Sequence, residues 1–191
     1  TQVWVIDDLG KVPFEYRHQK KVQYVKRGSD LYLRRISSCK YLINNGTFAE
    51  WFVRKEGQLY LNTWHGTPMK TLGRAMELPL VSRANTSRNF VQATHMIFPN
   101  AHTRDVQIID HGIDGYTKAL QLVSGYHRKD QLKAPDAEQR KKVIELLDLD
   151  PDKPVVLYAP TYRGSWNEPG FGADDILQQV TQMATDKHNL V

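Results

Sequence analysis

A chain of 191 residues with 40% hydrophobic and 25% charged residues has an ordinary globular composition, enough for one good-sized domain or two small ones, which excludes wholesale disorder, collagen and coiled coil. Its 26 Lys and Arg against 21 Asp and Glu leave a formal net charge of +5, a moderate excess. The single cysteine, Cys39, excludes an internal disulfide and any paired-cysteine metal motif, and no apolar run approaches the roughly 20 residues of a membrane-spanning helix, so a reducing, cytoplasmic compartment is expected.

The chain starts at Thr1 and enters an apolar run almost at once, which reads as an excised or processed piece. Short β-branched and aromatic runs then alternate with helical stretches, the mark of a parallel α/β sheet. In chain order, strands are expected at 3–6 and 21–25, then a helix at 30–38 with Leu31, Leu33 and Ile36 as its apolar residues and Asp30 as its cap. Strands follow at 41–43, 59–62 and 96–98, a helix at 103–109 ended by Gly112, and a strand at 120–123. A polar, lysine-rich stretch at 125–135 marks a boundary. Beyond it the spacing predicts a helix at 136–147, a Pro151 to Pro154 turn, a strand at 155–158 and a helix at 174–186. Most of the strands are apolar along their length, which predicts burial on both faces.

The segment LNTWHGTPMKTLG, from Leu61 to Gly73, carries the strongest chemical signal. It follows a strand, and open α/β sheets bind ligands at the carboxyl ends of their strands. Gly66 lets backbone N–H groups approach an anion, Thr67 adds a hydroxyl, Lys70 adds a positive charge, and Pro68 suits the first turn of a helix. His65 reads either as a general base, because imidazole changes charge near neutrality, or as a turn cap. A second strand-end loop, YAPTYRG from Tyr158, offers Thr161 and Arg163; the arginine reads as a bidentate phosphate ligand or a surface ion pair. SGYHRKD from Ser124 places Arg128 in a cleft or on a solvated linker. Asp7 and Asp8 lack a second acidic cluster, and His95, His102 and His111 fall in different elements, so no metal is expected. The basic run from Arg17 to Arg27, with Arg83 and Arg88, reads as an anion-attracting patch or an ordinary solvated face.

WHGTPMKTLG from Trp64, FPN from Phe98, SGYHRKD from Ser124 and VLYAPTYRG from Val156 occur in an order and spacing that resemble the CDP-glycerol glycerophosphotransferase family, the teichoic acid and capsule polymerases. Met69, His127 and Tyr162 depart from the family's usual residues. The resemblance implies a Rossmann-like parallel sheet in a two-domain GT-B architecture and, at these positions, His65 as the base acting on the acceptor hydroxyl and Arg163 as a phosphate ligand. It also implies a CDP-glycerol donor, release of CMP, and a membrane-linked glycerol-phosphate acceptor, with no cofactor and no nucleic acid. The expected location is cytoplasmic, peripheral on the anionic inner membrane surface.

By the same resemblance, 1–125 is part of the acceptor-side domain, 126–152 the hinge and its helix, and 153–191 the start of the donor-side domain, with the nucleotide-binding residues farther on. Two other readings remain open: a GT-B transferase using CDP-ribitol or a nucleotide sugar, and a non-catalytic anion-binding module.

Overall fold

The structure, a computed structural model, describes residues 1–69, 71–77, 79–134, 136–159, 173–183 and 185–191. These fall into two compact units, Thr1–Asp130 and Gln131–Val191.

In the first unit, β1 (Gln2–Ile6) pairs in parallel with β2 (Val22–Lys26), from Gln2 opposite Val22 to Ile6 opposite Lys26. The connection between them contains two short 3-10 turns, Leu9–Lys11 and Phe14–Tyr16. After α1 (Asp30–Ser38), the strands β3 (Tyr41–Asn44), β4 (Leu59–Asn62), β5 (His95–Phe98) and β6 (Leu120–Val123) form a four-stranded parallel sheet in sequence order. Helices α2 (Leu80–Gln92) and α3 (Ala101–Asp110) lie in the β4–β5 and β5–β6 crossovers. The α/β parallel fold expected from the alternation of elements is therefore the observed one.

Burial along β3, β4 and β5 alternates. Leu42, Tyr60, Asn62, Met96 and Phe98 point into the core, where they join Tyr32, Ile36, Phe90 and Ile108 from the helices. Their neighbours Tyr41 and Ile43 are 65% and 71% exposed, and all of β6 is exposed. The expectation of burial on both faces is thus corrected: period-2 alternation places one face on the helices and leaves the other open.

Three helical details also differ. Ser29, not Asp30, caps α1, its hydroxyl accepting from Tyr32 N–H at 3.2 Å, and Tyr32 with Ile36 makes the buried side while Leu31 and Leu33 remain exposed. The spacing i, i+4 accounts for that pair. Helix α3 starts two residues earlier than expected, capped by the Asn100 side chain.

Helix α2 has no counterpart in the sequence reading, because beside Phe90 its inward side is polar. Asn89 Oδ1 accepts from Phe48 N–H and its Nδ2 donates to Phe48 O, Asn85 Nδ2 donates to Phe48 O, and Arg88 donates to the carbonyls of Ala49 and Phe52. The helix buries hydrogen-bonding groups that satisfy an irregular chain, so no apolar 3.6-residue stripe marks it. Arg88 is for the same reason no surface cation. In the other basic run, Arg17 donates to Val12 O and Gly10 O, and Arg27 pairs with Asp7 at 2.7 Å.

The second unit contains α4 (Ala137–Leu146), β7 (Val155–Val156), α5 (Ala173–Met183) and β8 (Asn189–Leu190), with β7 and β8 parallel. Asp136 caps α4 through Glu138 and Gln139 N–H, but the expected apolar stripe of α4 is not buried, and only Ile144 is partly covered. The described strand covers Val155–Val156, shorter than the expected 155–158, and β8 was not foreseen.

Candidate active-site turn at the carboxyl end of β4

The core strand β4 ends at Asn62, and that side chain shapes the turn beyond it. Asn62 Oδ1 accepts from Trp64 N–H at 2.9 Å, while its Nδ2 donates to Gly46 O at 2.9 Å and to the Tyr60 hydroxyl at 3.0 Å. Burial pushes the Tyr60 phenol up to about 12, so it stays protonated, donating to Asn89 Oδ1 at 3.3 Å. This buried set holds Trp64 at φ 49°, a left-handed conformation that costs a non-glycine residue about 1–2 kcal/mol. The reversal turns His65 to the exposed side of the sheet's carboxyl end.

His65 Nδ1 lies 2.7 Å from the backbone carbonyl of Asn45. A carbonyl can only accept, so Nδ1 carries a proton and donates; in the neutral ring Nε2 is then the acceptor nitrogen. The Trp64 ring stacks on the imidazole with centroids 4.1 Å apart. Arg128, at the start of the 3-10 stretch His127–Lys133, donates to His65 O at 3.2 Å and lies over the Tyr126 ring at 4.3 Å. The structure thus places Arg128, exposed, beside the turn.

Gly66 is half-buried with open space where a Cβ would stand, and Thr67, exposed, accepts a hydrogen bond from Thr103 Oγ1 at 3.2 Å. No helix starts at Pro68, contrary to expectation: Gly66 to Met69 are irregular, and the 3-10 turn Gly73–Ala75 is the next regular element among the described residues. Two glycines and a proline within eight residues give little helical propensity, and contacts to α3 draw the segment across that helix instead. Lys70, Thr161 and Arg163 lie outside the described residues, as do Pro160 to Gly172 as a whole.

Sequence reasoning missed Asn62, Asn45, Thr103 and His111. Asn62 was legible in principle as an Asx residue two before a turn. The others act through backbone or packing and leave no motif. Asp7 and Asp8 are structural, the first pairing with Arg27 and the second capping Leu9–Lys11. Among the described residues, no group of three His, Cys, Asp or Glu could hold a metal ion, and no helix is long and apolar enough to cross a membrane. A separate, largely apolar hollow of about 790 Å³ beside β1, lined by Trp4, Val12, Tyr16 and Tyr24 among others, includes none of the residues of the His65 turn.

The sequence profile of the CDP-Glycerol:Poly(glycerophosphate) glycerophosphotransferase family matches residues 1–190. The chain belongs to that family. Among its members, the teichoic acid poly(glycerol phosphate) polymerase of Bacillus spizizenii is 30% identical over 174 residues, which cover 84% of this chain and 41% of that protein. The enzyme of the same name from Staphylococcus epidermidis is 32% identical over 148 residues, 73% of this chain and 20% of the other. Among solved glycerophosphotransferase-family structures, the wall teichoic acid polymerase TagF, as a histidine-to-asparagine variant soaked with CDPG, matches with a TM-score of 0.77 at 26% identity, over 98% of this chain and 47% of that one. The unaltered TagF matches with a TM-score of 0.76 at 25% identity. The chain therefore spans less than half the length of these relatives.

Proposed function

We propose that the protein carrying this chain transfers glycerol phosphate from CDP-glycerol to the terminal hydroxyl of a glycerol-phosphate chain, releasing CMP, in teichoic acid synthesis. The observation that carries this reading is the fixed imidazole at the carboxyl end of β4: Nδ1–H is spent on Asn45 O, which leaves Nε2 to take a proton. In the proposed reaction Nε2 accepts the proton of the acceptor hydroxyl as its oxygen attacks the glycerol-bearing phosphorus. The bond from that phosphorus to the CMP oxygen breaks, and the electron pair leaves with CMP.

Phosphoryl transfer asks a protein mainly for positioning and charge stabilisation. Gly66 and Thr67 offer the donor phosphates an open approach and a hydroxyl, and Arg128, held beside the turn by His65 O and Tyr126, supplies charge. Lys70, Thr161 and Arg163 are proposed phosphate ligands on the strength of the family motif alone. We assign residues 1–125 to the acceptor-side domain, 126–152 to the hinge and its helix, and 153–191 to the start of the donor-side domain. The net charge of +5 suits an anionic polymer and peripheral attachment at the inner face of the membrane.

Donor identity is tested by incubating the longest native form of the protein with a glycerol-phosphate-primed lipid and CDP-glycerol, CDP-ribitol or a nucleotide sugar. The reading predicts turnover of CDP-glycerol with CMP release. Exclusive use of another donor would retain the catalytic turn and overturn the donor.

A further inference from the structure

The two sides of the His65 turn rest on one line of residues along α3 and its end. Thr103, Gln107 and His111 succeed one another at four-residue spacing, so they share one side of the helix, and they are 1%, 0% and 5% exposed. At one end of this line, Thr103 Oγ1 donates to Thr67 Oγ1 at 3.2 Å. At the other, the His111 ring meets Trp64 edge-on at 6.1 Å, and Trp64 in turn stacks on His65. His65 lies between these two anchors in the chain. The loop's return is seated on the same helix end, where Arg74 donates to Ile109 O at 3.0 Å.

The Thr103 hydroxyl is not needed by the helix. Thr103 N–H is already satisfied by the Asn100 side chain, which caps α3, and a valine would fill the same buried volume. A buried hydroxyl persists at no cost only where it is bonded, and this one is bonded to the turn.

We infer that Thr103 is a positioning residue for His65: through Thr67 it fixes one side of the turn whose other side Trp64 and His111 fix, and so holds the His65 ring where Nδ1 meets Asn45 O and Nε2 faces out. The inference rests on the reading of His65 as the base, but its geometric part can be measured without turnover.

The test compares wild type, Thr103→Val and Thr103→Ser in the longest native form of the protein, with CDP-glycerol kinetics and the ¹⁵N shifts of the His65 ring as readouts. Thr103→Val is expected to lower kcat about tenfold while KM for CDP-glycerol stays within about twofold, because misplacing a reacting group costs rate more than binding. Its His65 shifts are expected to move from the single Nδ1–H tautomer towards a mixture, and Thr103→Ser to restore both. Thr67→Val removes the same bond from the exposed side, where folding is not at risk, and is expected to move the ring shifts in the same way. Wild-type kcat and ring shifts in folded Thr103→Val, or unmoved shifts in Thr67→Val, would overturn the assignment. A wild type that ignores CDP-glycerol removes the functional reading instead, and the ring shifts alone then decide the role of Thr103.

Discussion

Which nitrogen of His65 is free is decided by a single bond, because the Asn45 carbonyl can only accept. His111 shows the opposite use of an imidazole. Burial pushes its pKa down, against a smaller upward pull from Asp110, and the neutral ring packs edge-on against Phe90 and Trp64. In the unfolded chain the same histidine protonates below about pH 6.5, so as the pH falls from there towards the depressed folded value, the unfolded state takes up a proton that the folded state refuses, and stability falls. Replacing His111 with Phe is therefore expected to flatten the acid side of a Tm-against-pH curve over that window; an unchanged slope would contradict a neutral, buried ring. Gly66 makes a different demand. A Cβ there meets open space, so Gly66→Ala should leave stability within about 0.5 kcal/mol. If donor phosphates approach its backbone, KM for CDP-glycerol should rise about tenfold, the worth of one lost backbone hydrogen bond. Thermal unfolding and steady-state kinetics on one preparation separate the two effects.

At the level of elements, seven of the eight strands and four of the five α-helices among the described residues were legible from apolar runs and helix start and stop signals, whereas α2 was hidden by the polar residues it turns inward. Asn85, Arg88 and Asn89 look like a surface stretch until the backbone of Phe48, Ala49 and Phe52 is found on the other side of their hydrogen bonds. The turn after β4 was legible as a site but not as a shape. Its course is set by tertiary contacts with α3, such as Gly73, at φ 57° with the Asp110 carbonyl where a Cβ would lie, so a helix begun at Pro68 did not materialise. Gly73→Ala combines a left-handed backbone with a steric clash and is expected to destabilise the fold by at least about 2 kcal/mol. An unshifted denaturant midpoint would show that the loop moves freely off α3.

On the scale of the whole molecule, the chain forms two units and spans less than half the length of the polymerases it resembles. The family could be read from four short motifs, since their residue types and order are specific even where the intervening sequence is not. What could not be read were the contacts that fix the His65 ring: Asn45 setting the tautomer and Trp64 covering the ring. The first joins residues twenty apart through a backbone carbonyl that every residue possesses, and the second depends on the left-handed backbone of Trp64. We propose that this arrangement makes His65 the base for glycerol-phosphate transfer. Its most direct test is CMP release from CDP-glycerol by wild type and His65→Ala of the longest native form, with a glycerol-phosphate-primed lipid acceptor. Wild type is expected to turn over and the variant to lose at least about a hundredfold, as for a general base; a His65→Ala protein that turns over at the wild-type rate would rule out that role.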